Sequence, residues 1–137
     1  MKNILILCTG NSCRSQMAEG ILQHLLKDNT TVNSAGTKPC FVHPMAIKVM
    51  SEIGIDISNH RSKSVTEFID TQIDIVITVC DKASEDCPIF PTAPTTYHWP
   101  FEDPAKTKPD NITLFRHVRD QIYDTMKAKI SEGLAIV

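Results

Sequence analysis

The sequence predicts an α/β domain: a four-stranded parallel sheet flanked by helices on both faces. Two observations carry that expectation. Continuous apolar runs, rather than alternating ones, mark strands buried on both sides. Between them, apolar residues recur every three or four positions, as on amphipathic helices. Strands that alternate with helices give a parallel sheet. The 137 residues suit a single domain, 1–137.

Ile4, Leu5, Ile6 and Leu7, after the polar Asn3, make the first strand. A polar turn follows over residues 9–13. Ala18, Ile21, Leu22, Leu25 and Leu26 then form one helical stripe. Residues 31–35 read as a short second strand stopped by Gly36. Pro44 suits the first turn of the next helix, with Met45, Ala46, Val49, Met50 and Ile53 inward and Gly54 as its C-cap. Residues 55–64 form an irregular polar connection, and 65–69 a short helix. The second strongly apolar strand covers 73–79 and ends at Cys80. A loop rich in Asp and Pro spans 81–94. A weaker fourth strand covers 95–99, and another loop 100–109. Asp110 is placed to cap a last helix, whose stripe is Phe115, Val118, Ile122, Met126 and Ile130.

Composition excludes several classes. Hydrophobic residues at 42% and charged residues at 22% are ordinary for a globular chain and argue against disorder. A formal net charge of -2 offers no basic surface for nucleic acid or a membrane. The N-terminal apolar run is too short for a signal or a membrane span, so a cytoplasmic monomer is expected. The five cysteines cannot all pair, which excludes a disulfide framework. In a reducing compartment they are thiols with catalytic, redox, metal-binding or packing roles.

The sharpest motif is Cys8-Thr9-Gly10-Asn11-Ser12-Cys13-Arg14-Ser15, between a buried strand and a helix start. Ligands of open α/β sheets bind at the carboxyl ends of strands, and a helix N-terminus favours anions. A loop of Thr9, Gly10, Asn11, Ser12, Cys13 and Arg14 can aim its N–H groups at a tetrahedral oxyanion. Gly10 allows close backbone approach, and Arg14 can clamp two oxygens. The same positive field favours a Cys8 thiolate. Ser15 can donate to that thiolate or cap the helix. Chance gives only about 0.02 matches to Cys-x5-Arg-[Ser/Thr] in a chain of this composition, so a strand-end core Cys beside a surface Arg is the weaker reading.

Cys-x5-Arg-Ser in this position resembles the low-molecular-weight protein tyrosine phosphatases. The longer string CTGNSCRSQMAEG is more similar to the thioredoxin-coupled arsenate reductases built on that fold. The resemblance continues through SAG at 34–36, DISNH at 56–60, VCDKASEDCP at 79–88 and HWPFEDPA at 98–105. It implies arsenate as substrate, phosphate and sulfate as competing oxyanions, and thioredoxin as electron donor, with no bound cofactor.

Oxyanion chemistry needs a proton for the leaving oxygen, from across the anion. Asp103, after the fourth strand, falls on the same sheet edge as Cys8. Pro104 stiffens that loop. A surface Asp-Pro turn is the alternative reading, which the resemblance weighs against; Glu102 is a weaker candidate acid. Cys80 and Cys87 bracket a polar loop. Zinc would want four ligands, and His98 and Cys8 give no standard spacing. Inert burial is a second reading. Successive thiol–disulfide exchange with Cys8 is the third. The resemblance implies that third role: a Cys8–arsenic adduct, a Cys8–Cys80 disulfide, then Cys80–Cys87, which thioredoxin reduces.

Cys13 reads as packed, with side-oxidation as its alternative, and Cys40 as incidental. His24, His43, His60 and His117 read as surface or cap residues, and Trp99 as packing under the acid loop or helping to dock thioredoxin. Some related reductases bind potassium through side chains matching Asn11, Glu19 and Ser34, plus an Asp. Lys63 stands at the matching fourth position, and its ammonium can neutralise Glu19 instead, which counts against potassium activation. Two other functions stay open. One is a low-molecular-weight phosphatase using Cys8, Arg14 and Asp103, although Asp-Pro-Ala replaces its typical Asp-Pro-Tyr. The other is a non-enzymatic oxyanion or thiol sensor.

Overall fold

The computed structural model describes residues 2–26, 30–81, 87–88 and 90–133. Strand β1 is Lys2–Cys8, followed by helix α1 (Arg14–Leu26), strand β2 (Thr30–Gly36) and helix α2 (Pro44–Ser51). A 3-10 turn at Val65–Phe68 leads to β3 (Ile75–Thr78), β4 (Thr95–His98) and helix α3 (Ile112–Ser131). All four strands are parallel, in the order β2-β1-β3-β4. The expected loop over 81–94 lies partly outside the described residues.

The apolar runs fold as their pattern demands. Ile4 through Leu7 are fully buried, as are Val76 and Ile77 next door, so the sheet centre is covered on both faces. Each such side chain contributes about 1.5–3 kcal/mol. Met17, Ala18, Ile21 and Leu22 of α1 and Phe115, Val118, Ile122 and Met126 of α3 complete that core. Among the described residues no helix is long and apolar enough to cross a membrane.

Three local expectations are corrected. Asn111, not Asp110, caps α3: its Oδ1 accepts from the N–H groups of Thr113 and Leu114 at 3.0 and 3.3 Å. Asp110 instead approaches His43 Nε2 at 3.4 Å. Glu52, not Gly54, occupies the C-cap of α2, and Gly54 turns the chain at φ +79° just beyond. Ile53, expected inward, is exposed. Glu52 binds Arg116 and Arg119 of α3, tying α2 to α3; the hydrogen bond from Arg116 leads in holding its carboxyl at about 2.

The strand order creates the site. The chain leaves β1 for β2 on one side and returns to β3 on the other. Cys8 therefore sits at a topological switch point, where a crevice opens beyond the strand ends. The β1–β3 ladder continues past β3 through Val79 N–H to Leu7 O at 2.9 Å. Trp99 N–H to Thr78 O and Phe101 N–H to Val79 O extend the β4 side likewise. These bonds carry the acid loop to the edge where Cys8 ends its strand.

Candidate active site

The loop after β1 is held with its carbonyls outward. Thr37, Lys38, Cys40 and His43 donate their N–H groups to the carbonyls of Cys8, Thr9, Gly10 and Ser12 at 2.9–3.3 Å. Gln16 Nε2 takes the Asn11 carbonyl at 3.1 Å, and Met17 N–H takes that of Cys13 at 2.9 Å. A peptide whose C=O points outward turns its N–H the other way, so the loop presents N–H groups to its centre. This is an anion nest at the start of α1. The close approach belongs chiefly to Gly36, the last residue of β2. A Cβ there would stand 2.4 Å from the Thr9 carbonyl oxygen. Gly10 serves a lesser fit, against Cys40 Sγ.

Beneath the nest lies a buried polar network centred on Asn11. Its backbone is left-handed at φ 49°, a region that Asn tolerates. Its Nδ2 donates to Ser15 and Ser34 at 2.8 and 2.9 Å; its Oδ1 accepts from Lys63 N and Gln16 Nε2 at 2.8 and 3.0 Å. The Asn11 side chain thus braces the loop from below, and only its backbone can face an anion. Ser15 is likewise engaged by Asn11 in this scaffold. Ser34 donates to Glu19 at 2.6 Å, and Lys63 Nζ stands 3.6 Å from Glu19. His60, expected at the surface, joins this network through Gln16 at 3.0 Å and Glu19 at 3.4 Å. An ammonium therefore already stands beside Glu19, where it supplies the positive charge a cation would bring. Among the described residues no group of three or more His, Cys, Asp or Glu is arranged to hold a metal.

Above the nest is a cavity of about 310 Å³ lined by Cys8, Thr9, Gly10, Ser12, Cys13, Arg14 and Asp103. The structure brings these predicted residues together. Arg14 Nη1 donates to the Phe101 carbonyl at 3.1 Å, which ties the acid loop to the nest and leaves the rest of the guanidinium fork for an oxyanion. Asp103 Oδ1 accepts from Ala105 N–H at 2.9 Å, fixing the carboxylate at the cavity wall. Glu102 does not reach the cavity; it pairs with Lys106 and faces another groove. Sequence reasoning missed Phe41, His43 and Lys108 on the cavity wall. His43 caps α2 and packs against Phe115 at 4.8 Å between ring centroids. No local pattern announces that contact across 72 positions of sequence.

All five cysteines are in the thiol form, outside any disulfide. Cys80 is buried beside Cys8, with its Sγ 3.4 Å from Thr9 Oγ1. The field of the nest, through Arg14 and the Thr9 N–H, lowers the Cys8 thiol as expected, but the neighbouring Cys80 thiol and then burial oppose it and push it up. Burial likewise pushes Cys13 up to about 12, consistent with packing. Cys87 is half-buried, and burial raises its thiol too. Cys40 is exposed on the outer side of the nest, with Sγ 3.5 Å from the Gly10 carbonyl. Trp99 packs beside Tyr97 at 5.2 Å, under Lys129.

A nest at the switch point, an internal Cys and Arg, and an Asp on a facing loop define a phosphate-handling cysteine enzyme fold. The chain belongs to the low molecular weight phosphotyrosine protein phosphatase family, whose model matches residues 3–132. It is 45% identical over 135 residues to a Shouchella clausii protein named arsenate reductase, covering 96% of this chain and 97% of that one. It is 48% identical over 121 residues to a Staphylococcus epidermidis protein named arsenate reductase 2, covering 88% and 90%. A solved structure described as an arsenate reductase in the phosphate binding state superposes with a TM-score of 0.83 at 36% identity, over 96% of this chain and 98% of that one.

Proposed function

We propose that this protein reduces arsenate to arsenite by a three-cysteine relay recycled by thioredoxin. The observation that carries the reading is the buried Cys80 thiol set against the nest, its Sγ 3.4 Å from Thr9 Oγ1 and next to Cys8. Phosphoester hydrolysis uses the nest, Arg14 and Asp103 but has no use for a second thiol there.

Arsenate, a phosphate mimic, occupies the nest, where phosphate and sulfate compete. The arsenate dianion is a base and takes up the Cys8 proton on entry. Cys8 Sγ attacks arsenic, an As–O bond breaks, and Asp103 protonates the departing oxygen to give water. The Cys80 thiol then attacks Cys8 Sγ, and its proton passes to the departing arsenite oxyanion. The S–S bond forms, the S–As bond breaks, and its electron pair stays on arsenic as As(V) becomes As(III). One arsenate and two thiols have become arsenite, water and a disulfide. Cys87 attacks Cys80 and frees Cys8 with no net redox change. A thioredoxin dithiol reduces the Cys80–Cys87 bond.

The cavity is complete within one chain, so a monomer suffices. A cytoplasmic setting keeps the relay thiols reduced. Lys63 stands in for a potassium ion. The reading is tested by arsenate-dependent NADPH oxidation in the presence of thioredoxin and thioredoxin reductase. Turnover that needs both proteins supports it; no turnover with any dithiol donor overturns it.

A further inference from the structure

His98 ends β4 in register with Thr78, the last residue of β3. Its imidazole joins two residues on either side of Cys80. Nδ1 lies 2.7 Å from Thr78 Oγ1, and Nε2 lies 2.9 Å from Asp81 Oδ1. A carboxylate only accepts, so Nε2 carries a proton, and in the neutral ring Nδ1 accepts from the Thr78 hydroxyl. Asp81 directly follows Cys80. The imidazole therefore cross-braces the turn that carries the Cys80 thiol. On its other side that thiol meets Thr9 Oγ1 at 3.4 Å, within the wall of the nest.

We propose that His98 and Asp81 are positioning residues that hold Cys80 in line with the Cys8 sulfur. This inference rests on the relay reading above. Attack on a sulfur demands an aligned approach, and a small misplacement of the nucleophile slows it without altering how the oxyanion binds. The brace acts on one step only: Cys80 sulfur bonds to Cys8 sulfur, the S–As bond breaks, and arsenic keeps the electron pair.

The test uses the fully reduced full-length chain without thioredoxin. Arsenate is added, the reaction is quenched over time, and free thiols are counted. Asp81→Ala is expected to slow the loss of two thiols about five- to tenfold, with the KM for arsenate unchanged. Asp81→Asn, which keeps an acceptor oxygen for Nε2–H, restores most of the rate. His98→Ala slows the step equally, and the double variant is no slower than either single one. A native rate in Asp81→Ala overturns the brace while the relay stands. Loss of two thiols at the native rate in Cys80→Ser overturns the relay, and the brace with it.

Discussion

Cys80 Sγ lies 3.4 Å from Thr9 Oγ1 where β1 and β3 end side by side, which seats its thiol beside Cys8 at the wall of the nest. Leu7 pairs with Thr78, so the residues that leave the two strands are delivered to one crevice. Cys80→Ala removes the neighbour that does most to raise the Cys8 thiol, leaving burial against the opposing pull of Arg14 and the Thr9 N–H. The Cys8 pKa then falls, and its alkylation by iodoacetamide, followed by mass spectrometry against pH, turns on at lower pH. A shift of about one pH unit corresponds to one hydrogen bond.

Asp103→Asn removes the proposed proton donor while keeping the contact to Ala105. The rate constant for arsenate reduction should fall about 10²–10⁴-fold. Glu102→Gln, which alters a carboxylate outside the cavity, leaves it within a few-fold. Steady-state assays of the two variants decide which acid serves the leaving oxygen.

Cys80→Ser separates the two chemistries of the family. Arsenate turnover with thioredoxin should disappear, while slow hydrolysis of an aryl phosphate through Cys8, Arg14 and Asp103 remains. Undiminished arsenate turnover in this variant contradicts the relay.

The proposed role of Lys63, with its ammonium 3.6 Å from Glu19, is to make the scaffold independent of potassium. At constant ionic strength, replacing sodium by potassium should leave kcat unchanged. Lys63→Asp replaces the buried ammonium beside Glu19 by a carboxylate and should make the rate rise with added potassium. Strong activation of the native chain contradicts the substitution.

Asn11 spends all its side-chain hydrogen-bonding capacity on the nest's foundation, in a backbone region that other residues avoid. Asn11→Ala should cost about 2–4 kcal/mol in urea unfolding, from lost buried hydrogen bonds plus left-handed strain. Phosphate binding should weaken in parallel.

What was legible in the chain was what local pattern encodes. The apolar runs placed β1 and β3, and the loop between Cys8 and Arg14 announced an anion site. Asp103 follows a strand onto the same edge, but a surface Asp-Pro turn fits that spacing as well, and the family resemblance singled it out. What was not legible depends on partners far apart in sequence. The outward locking of the nest by residues 37–43 and the entry of His60 into the Glu19 network leave no local trace. The rise of the Cys8 thiol follows from Cys80, 72 positions away. The cap of α3 was misplaced by one residue because Asp110 and Asn111 are both good caps. His43, by drawing Asp110 toward itself, leaves the task to Asn111.

The central claim is that three cysteines pass one disulfide from the nest to the surface. It is tested most directly by disulfide mapping after a single arsenate turnover without thioredoxin. The relay predicts a Cys80–Cys87 bond, with Cys8, Cys13 and Cys40 still alkylatable. Arsenite formed without a disulfide at Cys80, or a final bond that retains Cys8, contradicts it.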